Sequence, residues 1–300
     1  MRVTQGMLTN NMLRHLSNSY DRMGKYQEQL STGKKINRPS DNPVVAMKGM
    51  NYRTQLNEVQ QFQRNLGEMH NWMENSDSAM DKATQAMQRV RELTVQASNG
   101  TYDQGQRENI AKEIGQLKDH MIDIANTKVN NKYIFNGNDT LNAPVDVSEE
   151  NPPAADPSPF KVSDNSGEVM IEISKGNSLK ANIDPTKVFS GQLFADLQGL
   201  ENALKGNDES KLNGYLDIID DHINNIVDER ADLGARMNRI ELVEDRLAQQ
   251  EITATRILSE NEDADIEKVI TELKTQESVH RAALGVGARI IQPTLMDFLR

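Results

Sequence analysis

Between residues 212 and 247 the chain repeats apolar side chains at steps of three and four. Leu212, Leu216, Ile219, Ile223, Ile226, Leu233, Met237, Ile240 and Leu247 take nine of eleven seam positions, and Arg230 and Glu244 take the other two. That period puts the seam on one stripe of a single long α-helix, a stripe made to be buried beside other long helices. Composition points the same way. Only 36% of residues are hydrophobic and 4% aromatic, which suits a large compact α/β or sandwich core poorly. At roughly 150 residues per domain, 300 residues predict about two domains. The expected fold is mainly α: an elongated bundle of long antiparallel helices from both chain ends, with a small β-rich insertion in the middle.

Other segments repeat the helical period. Leu13, Leu16, Tyr20, Met23 and Leu30 form a short seam that Gln27 interrupts. Asn42 and Pro43 supply an N-cap and a first helical residue, opening a helix expected to run to Ser98, where Asn99-Gly100 stops it. Its apolar positions are Leu66, Met69, Met73, Met80, Ala83, Met87, Val90 and Ala97, and the methionines read as adaptable packing residues. Ile110, Ile114, Leu117, Met121 and Ile124 mark a further helix. Six of the nine prolines lie between Pro144 and Pro185, so that region is not helical. Inside it Val169, Ile171 and Ile173 alternate with polar residues, as do Leu179, Ala181 and Ile183 after Lys175-Gly176-Asn177, which predicts a hairpin. Near the end, Ile266, Ile270, Leu273, Leu284 and Ile291 keep the period while Glu277, His280 and Gly287 break it.

Charge removes some functions. The formal net charge of -11 opposes binding to a phosphate backbone, so nucleic acid is not an expected partner. Residues 1–35 carry six Lys/Arg against two Asp/Glu, whereas 208–263 carry six against fifteen; these regions attract each other within or between chains, or are simply solvated helix faces. With no cysteine there is no thiolate catalysis, disulfide or Cys-ligated zinc. The longest apolar run, Val44 to Met47, is far short of a membrane span or a secretory core segment.

A search for chemistry finds no complete set. His15, His70, His120, His222 and His280 lie in separate segments without metal-ligand spacing. Ser31-Thr32-Gly33-Lys34-Lys35 hints at a phosphate loop, but Glu28 stands where the earlier glycine belongs, and a turn is the better reading. Asp263, Asp265 and Glu267 imitate a calcium loop, yet Lys268 replaces the glycine of its sharp turn, and acidic residues at a helix start complement the dipole. Asp220 and Asp221 point to different faces and make a poor acid/base pair. No enzyme activity, cofactor or metal is expected.

Several strings then point to one family. Gln29-Leu30-Ser31-Thr32-Gly33-Lys34-Lys35-Ile36-Asn37-Arg38-Pro39-Ser40-Asp41-Asn42-Pro43 resembles the N-terminal signature of the flagellin-type axial proteins. Ala97 to Thr101 with Arg107 and Ile110, Arg230 with Leu233-Gly234-Ala235 and Asn238-Arg239, and Ser259 to Ile266 resemble further segments of that family. Pro39 to Pro43, Lys132-Tyr133-Ile134-Phe135-Asn136-Gly137 and the ending Gln292 to Arg300 resemble the branch that joins hook to filament more than the branch that builds the filament.

The resemblance covers roughly residues 1–140 and 186–300. It implies a terminal helical region of 1–40 with 266–300, disordered in the monomer; a helical rod domain of 41–140 with 186–265; and a small insert of 141–185. Ordering a residue costs about 1–2 kcal/mol, which a lone narrow seam does not offset. The resemblance therefore implies that Leu13, Leu16, Tyr20, Met23 and Leu30 meet Leu273, Leu284, Ile291, Leu295 and Phe298 of the same or neighbouring subunits. It implies a structural protein of the flagellum, outside the cell, whose partners are the first hook-associated protein, flagellin, itself in a ring, and an export chaperone with the type III export apparatus. A filament subunit and a cytoplasmic coiled-coil adaptor are the alternatives.

Overall fold

The computed structural model describes residues 5–99, 103–147, 161–206 and 209–291. Its elements in chain order are α1 (Gln5–Thr32), α2 (Pro43–Ala97), α3 (Gln104–Ala125), β1 (Lys128–Val129), β2 (Lys132–Tyr133), β3 (Val145–Asp146), β4 (Lys161–Val162), β5 (Met170–Ser174), β6 (Asn177–Lys180), α4 (Pro185–Val188), α5 (Gly191–Lys205), α6 (Glu209–Glu262) and α7 (Ile266–Ile291). The fold is mainly α, with long helices from both ends of the chain and small antiparallel strand pairs between them. Two compact units are formed, one from Met1–Glu58 and Gln249–Arg300, the other from Val59–Ala248.

Helix ends follow from local chemistry. Asn42 Oδ1 accepts from Val45 N at 3.3 Å and Pro43 is the first helical residue, so α2 starts where one orphan donor is satisfied and a proline costs nothing. Asp103 caps α3 in a reciprocal box with Gln106, and Ser190 caps α5 through Leu193 N.

In the unit of residues 59–248 the core lies along α2, α3, α5 and α6. Leu212, Ile219, Ile226, Leu233, Ile240 and Leu247, spaced by seven, are each at most 2% exposed. They form the buried line of α6, whereas Leu216, Ile223 and Met237 at its border are half-buried and Glu244 is exposed. Every apolar α2 position named above is buried, as is Leu93, with methionine filling the gaps at 69, 73, 80 and 87.

Arg230, the basic interruption of the seam, spans two acids on α2. Its Nε lies 2.7 Å from Asp77 Oδ1 and its Nη1 2.6 Å from Asp81 Oδ1. With Arg91 Nε at 2.5 Å from Asp220, these bonds set α2 and α6 antiparallel and fix their register. Arg230→Ala leaves two carboxylates one helical turn apart without their shared cation. Because the side chains are over a third exposed, the expected loss is about 1–2 kcal/mol, measured by urea unfolding of the full chain.

Between α3 and α5, Lys118 Nζ lies 3.0 Å from Glu201 Oε2 and Lys205 Nζ 2.5 Å from Oε1. Burial by itself raises the Glu201 pKa, but the two lysines outweigh it and hold the carboxyl below its ordinary value.

The expected hairpin is β5–β6, with Ile171 opposite Leu179 and Gly176 turning at φ +76°. Asn65 Nδ2 on α2 donates to Glu172 O at 2.9 Å. A second hairpin, β1–β2, turns on Asn130 and Asn131, both with positive φ (50° and 64°). That is the geometry of a type I′ turn, which asparagine tolerates. The strand pair β3–β4 is likewise antiparallel.

Candidate assembly surface on the terminal helices

The two strings that most resemble the axial family, 29–43 and 259–266, lie against each other in the unit of 1–58 and 249–300. Helix α1 ends at Thr32 and Gly33 reverses the chain at φ +69°, a conformation that penalises any other residue. The reversed strand then bonds to the α6–α7 joint: Lys35 N to Glu262 O at 2.6 Å and Ala264 N to Gly33 O at 2.8 Å. Lys34 Nζ reaches Asp263 Oδ1 at 2.6 Å. Glu262 is a buried carboxylate, 5% exposed, held by Arg53 Nη2 at 2.6 Å. Gly49 on α2 leaves room for it, since a Cβ at Gly49 collides with the Glu262 carboxylate. Sequence reasoning missed Glu262, Arg53 and Gly49; the available signal was a glycine inside a long helix.

Residues 31–35 are thus a turn pinned by an ion pair. Asp263 also accepts from Ser259 Oγ at 2.5 Å, and Asp265 caps α7 through Lys268 N at 3.1 Å. Among the described residues no three or more His, Asp or Glu side chains group to hold a metal ion.

The joint is expected to loosen in acid. The bond from Lys34, then that from Ser259, lowers the Asp263 pKa below 3.8, and backbone donors at Arg38 and Asn37 do the same for Asp41. A lowered folded-state pKa adds stability above the ordinary value and loses it as pH falls through the folded value. Hydrogen exchange at Lys35 N and Ala264 N is therefore expected to accelerate below pH 3.8 beyond its intrinsic pH dependence, and Lys34→Met is expected to shift that onset upward.

Helices α1 and α7 pair antiparallel. Gln276 Nε2 donates to Ser19 Oγ at 2.7 Å, and the Tyr20 and His280 rings lie 6.3 Å apart. The Tyr26 hydroxyl donates to Glu272, which raises the tyrosine pKa. Gly287 is buried under Met12, whose Cε occupies the place a Cβ would take.

The face of α1 toward α7 is therefore Met12, Leu16, Ser19, Met23 and Tyr26. Of the residues expected to make contact, Leu16, Met23 and Leu273 are half-buried. Leu13, Tyr20, Leu30 and Leu284 are 54%, 66%, 38% and 49% exposed; Leu13 and Leu284 lie off that face, Tyr20 lies at its edge beside His280, and Leu30 continues the stripe of Leu16 and Met23 at the end of the helix. Part of the contact is not apolar: Ser19 and Gln276 satisfy each other, and Gly287, a break in the apolar period, makes room for Met12. Leu295, Phe298 and the Ile291 side chain lie outside the described residues.

Met7, Leu8, Val279 and Val286 are also exposed. On one flank of the pair Leu8, Met12, His15, Val279, Ala282 and Val286 line a mainly apolar groove of about 650 Å³. Paired terminal helices with exposed apolar flanks, set beside the signature turn at Gly33, define a helical protein of a recognisable family. Residues 3–140 match the bacterial flagellin N-terminal helical region and residues 216–299 the bacterial flagellin C-terminal helical region; the chain belongs to the flagellin family.

Among individual relatives it is similar to flagellar hook-associated protein 3 of Escherichia coli (strain K12), 25% identical over 303 residues covering 94% of this chain and 95% of that protein. It is also similar to flagellin of Bacillus subtilis (strain 168), 26% identical over 300 residues and 97% of each chain. The crystal structure of the flagellar junction protein FlgL from Legionella pneumophila matches with a TM-score of 0.59 at 15% identity, covering 72% of this chain and 99% of that one, which shows the shared fold.

Proposed function

We propose that this chain is a structural axial protein of the bacterial flagellum that forms an adaptor ring at the hook-filament junction. One side of the ring meets the first hook-associated protein, the other meets flagellin, and copies meet each other laterally. The chain reaches that place outside the cell through the type III export apparatus with a chaperone, and it performs no catalysis and needs no cofactor. The observation that carries this reading is the placement of exposed apolar surface. The unit of 1–58 and 249–300 holds little more than a third of the chain, yet it bears fourteen of the twenty exposed large apolar side chains among the described residues. Such a concentration marks surface awaiting a partner. The full-length likeness to hook-associated protein 3 and the fold shared with a junction protein support the junction over other axial positions.

A flagellin is also similar over its full length, and one experiment separates a filament subunit from a junction protein. Gold-labelled antibody against this chain, viewed by electron microscopy on intact cells, is expected to give one cluster per flagellum just beyond the hook. Label along the whole filament makes it a filament subunit; label confined to the cell interior removes the axial reading.

A further inference from the structure

Helix α2 and the β1–β2 hairpin, both walls within the unit of 59–248, leave a groove of about 580 Å³ between them. Arg64, Glu68, Asn71 and Trp72 line it from the helix, Asn130 and Lys132 from the hairpin. Steps of three and four put the first set along one face of α2. Gly67 belongs to that face too, and a Cβ there meets nothing within 4 Å, so the space above the helix stays open. The volume falls in the range of small-molecule sites, about 300–1,000 Å³.

Trp72 points to a ligand. Its side chain is half-buried against the core, and its Nε1 is buried with no hydrogen-bond partner among the described residues. An indole N–H only donates, and a buried donor without an acceptor is rare and unfavourable. An acceptor that enters the groove removes the defect, and the rest of the lining says what molecule carries it. Asn71 and Asn130 both donate and accept, Glu68 accepts, and Arg64 and Lys132 donate. Such a mixed set complements a ring bearing several hydroxyls, each of which also donates and accepts, while its C–H face suits the apolar indole. The two cations, one on each wall, outnumber the single carboxylate and suit an acidic substituent. The chain around them has a net charge of -11, which repels polyanions and admits a ligand with one negative charge.

We propose that this groove binds a saccharide carrying one carboxylate group. Arg64 and Lys132 hold the carboxylate, Asn71, Asn130 and Glu68 meet the hydroxyls, and Trp72 Nε1 donates to a ring or hydroxyl oxygen. The site lies outside the terminal helices and does not depend on the assembly reading above.

Trp72 is the chain's single tryptophan, so one indole N–H signal in the NMR spectrum of the full-length chain reports the groove alone. Methyl glucuronide is the probe, with methyl glucoside, acetate and inorganic phosphate tested in parallel. The glucuronide is expected to move the indole signal saturably, and the other three to bind at least about tenfold more weakly. Arg64 and Lys132 are exposed, and the double variant Arg64→Ala/Lys132→Ala is expected to bind the glucuronide at least about tenfold more weakly with its urea unfolding unchanged. Equal binding of methyl glucoside overturns the acidic substituent, and equal binding of acetate or phosphate makes the groove a bare anion site; either result overturns the proposal. An indole signal that glucuronide leaves in place up to about 50 mM overturns it as well, as does glucuronide binding that persists undiminished in the double variant. Every one of these outcomes leaves the assembly reading as it stands.

Discussion

Ile226→Asp is expected to unfold the unit of residues 59–248 or leave it close to its melting point at ambient temperature. Ile226 is fully buried in the heptad line of α6. Removing it forfeits about 1.5–3 kcal/mol of apolar burial. The new carboxylate loses its hydration with no cation in that line to receive it, which adds several kcal/mol. The sum, above about 4 kcal/mol, rivals the whole stability of an ordinary domain, about 5–15 kcal/mol. The neighbour Val227 is 44% exposed, and Val227→Asp is expected to change stability by less than about 0.5 kcal/mol. Urea unfolding of both full-length variants followed by circular dichroism makes the comparison. An Ile226→Asp chain within about 1 kcal/mol of the parent would show that this line is not the core of the unit.

Leu13→Asp combined with Leu284→Asp is expected to do the reverse: preserve the isolated chain and abolish assembly. Both side chains are about half exposed and lie off the α1–α7 contact face. Charging them changes monomer stability by less than about 1 kcal/mol. Once a neighbour covers them, each carboxylate is desolvated in an apolar contact at a cost of several kcal/mol, and every 1.4 kcal/mol is about tenfold in binding. Incorporation, measured by immunoblot of isolated flagella, is expected to fall at least about a hundredfold, with loss of swimming. Normal incorporation would place assembly on another surface. A large drop in urea stability would mean that these residues hold the monomer instead.

Much of the helical architecture was legible because its causes are local. Asn42-Pro43 and Asn99-Gly100 bracket α2 to within one residue of its ends, and the seven-residue line from Leu212 to Leu247 is a property of helical geometry alone. The β5–β6 hairpin was legible through its alternation and Gly176. The β1–β2 turn was passed over because its two asparagines adopt positive φ without a glycine to advertise it. Helix α5 lies within the region read as helical, but its Leu193, Phe194, Leu197, Leu200 and Leu204 were not singled out, since so short a stripe stands out little beside α6.

The candidate surface was legible only in outline. Sequence periodicity placed apolar residues on α1 and α7 and marked Gly287 as a break, while Ser19 and Gln276 drew no notice; all three take part in the contact between the helices. The pairing of Glu262 with Arg53 across 209 positions leaves no local trace. What the amino-acid sequence by itself determined is where helices start and stop, which stripe of each is apolar, and which family the signature strings resemble, because those depend on neighbours within a turn or two of the chain. Which stripe faces inward and which stays exposed was decided by the tertiary structure, because a polar pair or a missing Cβ makes a contact only when a distant segment brings its complement.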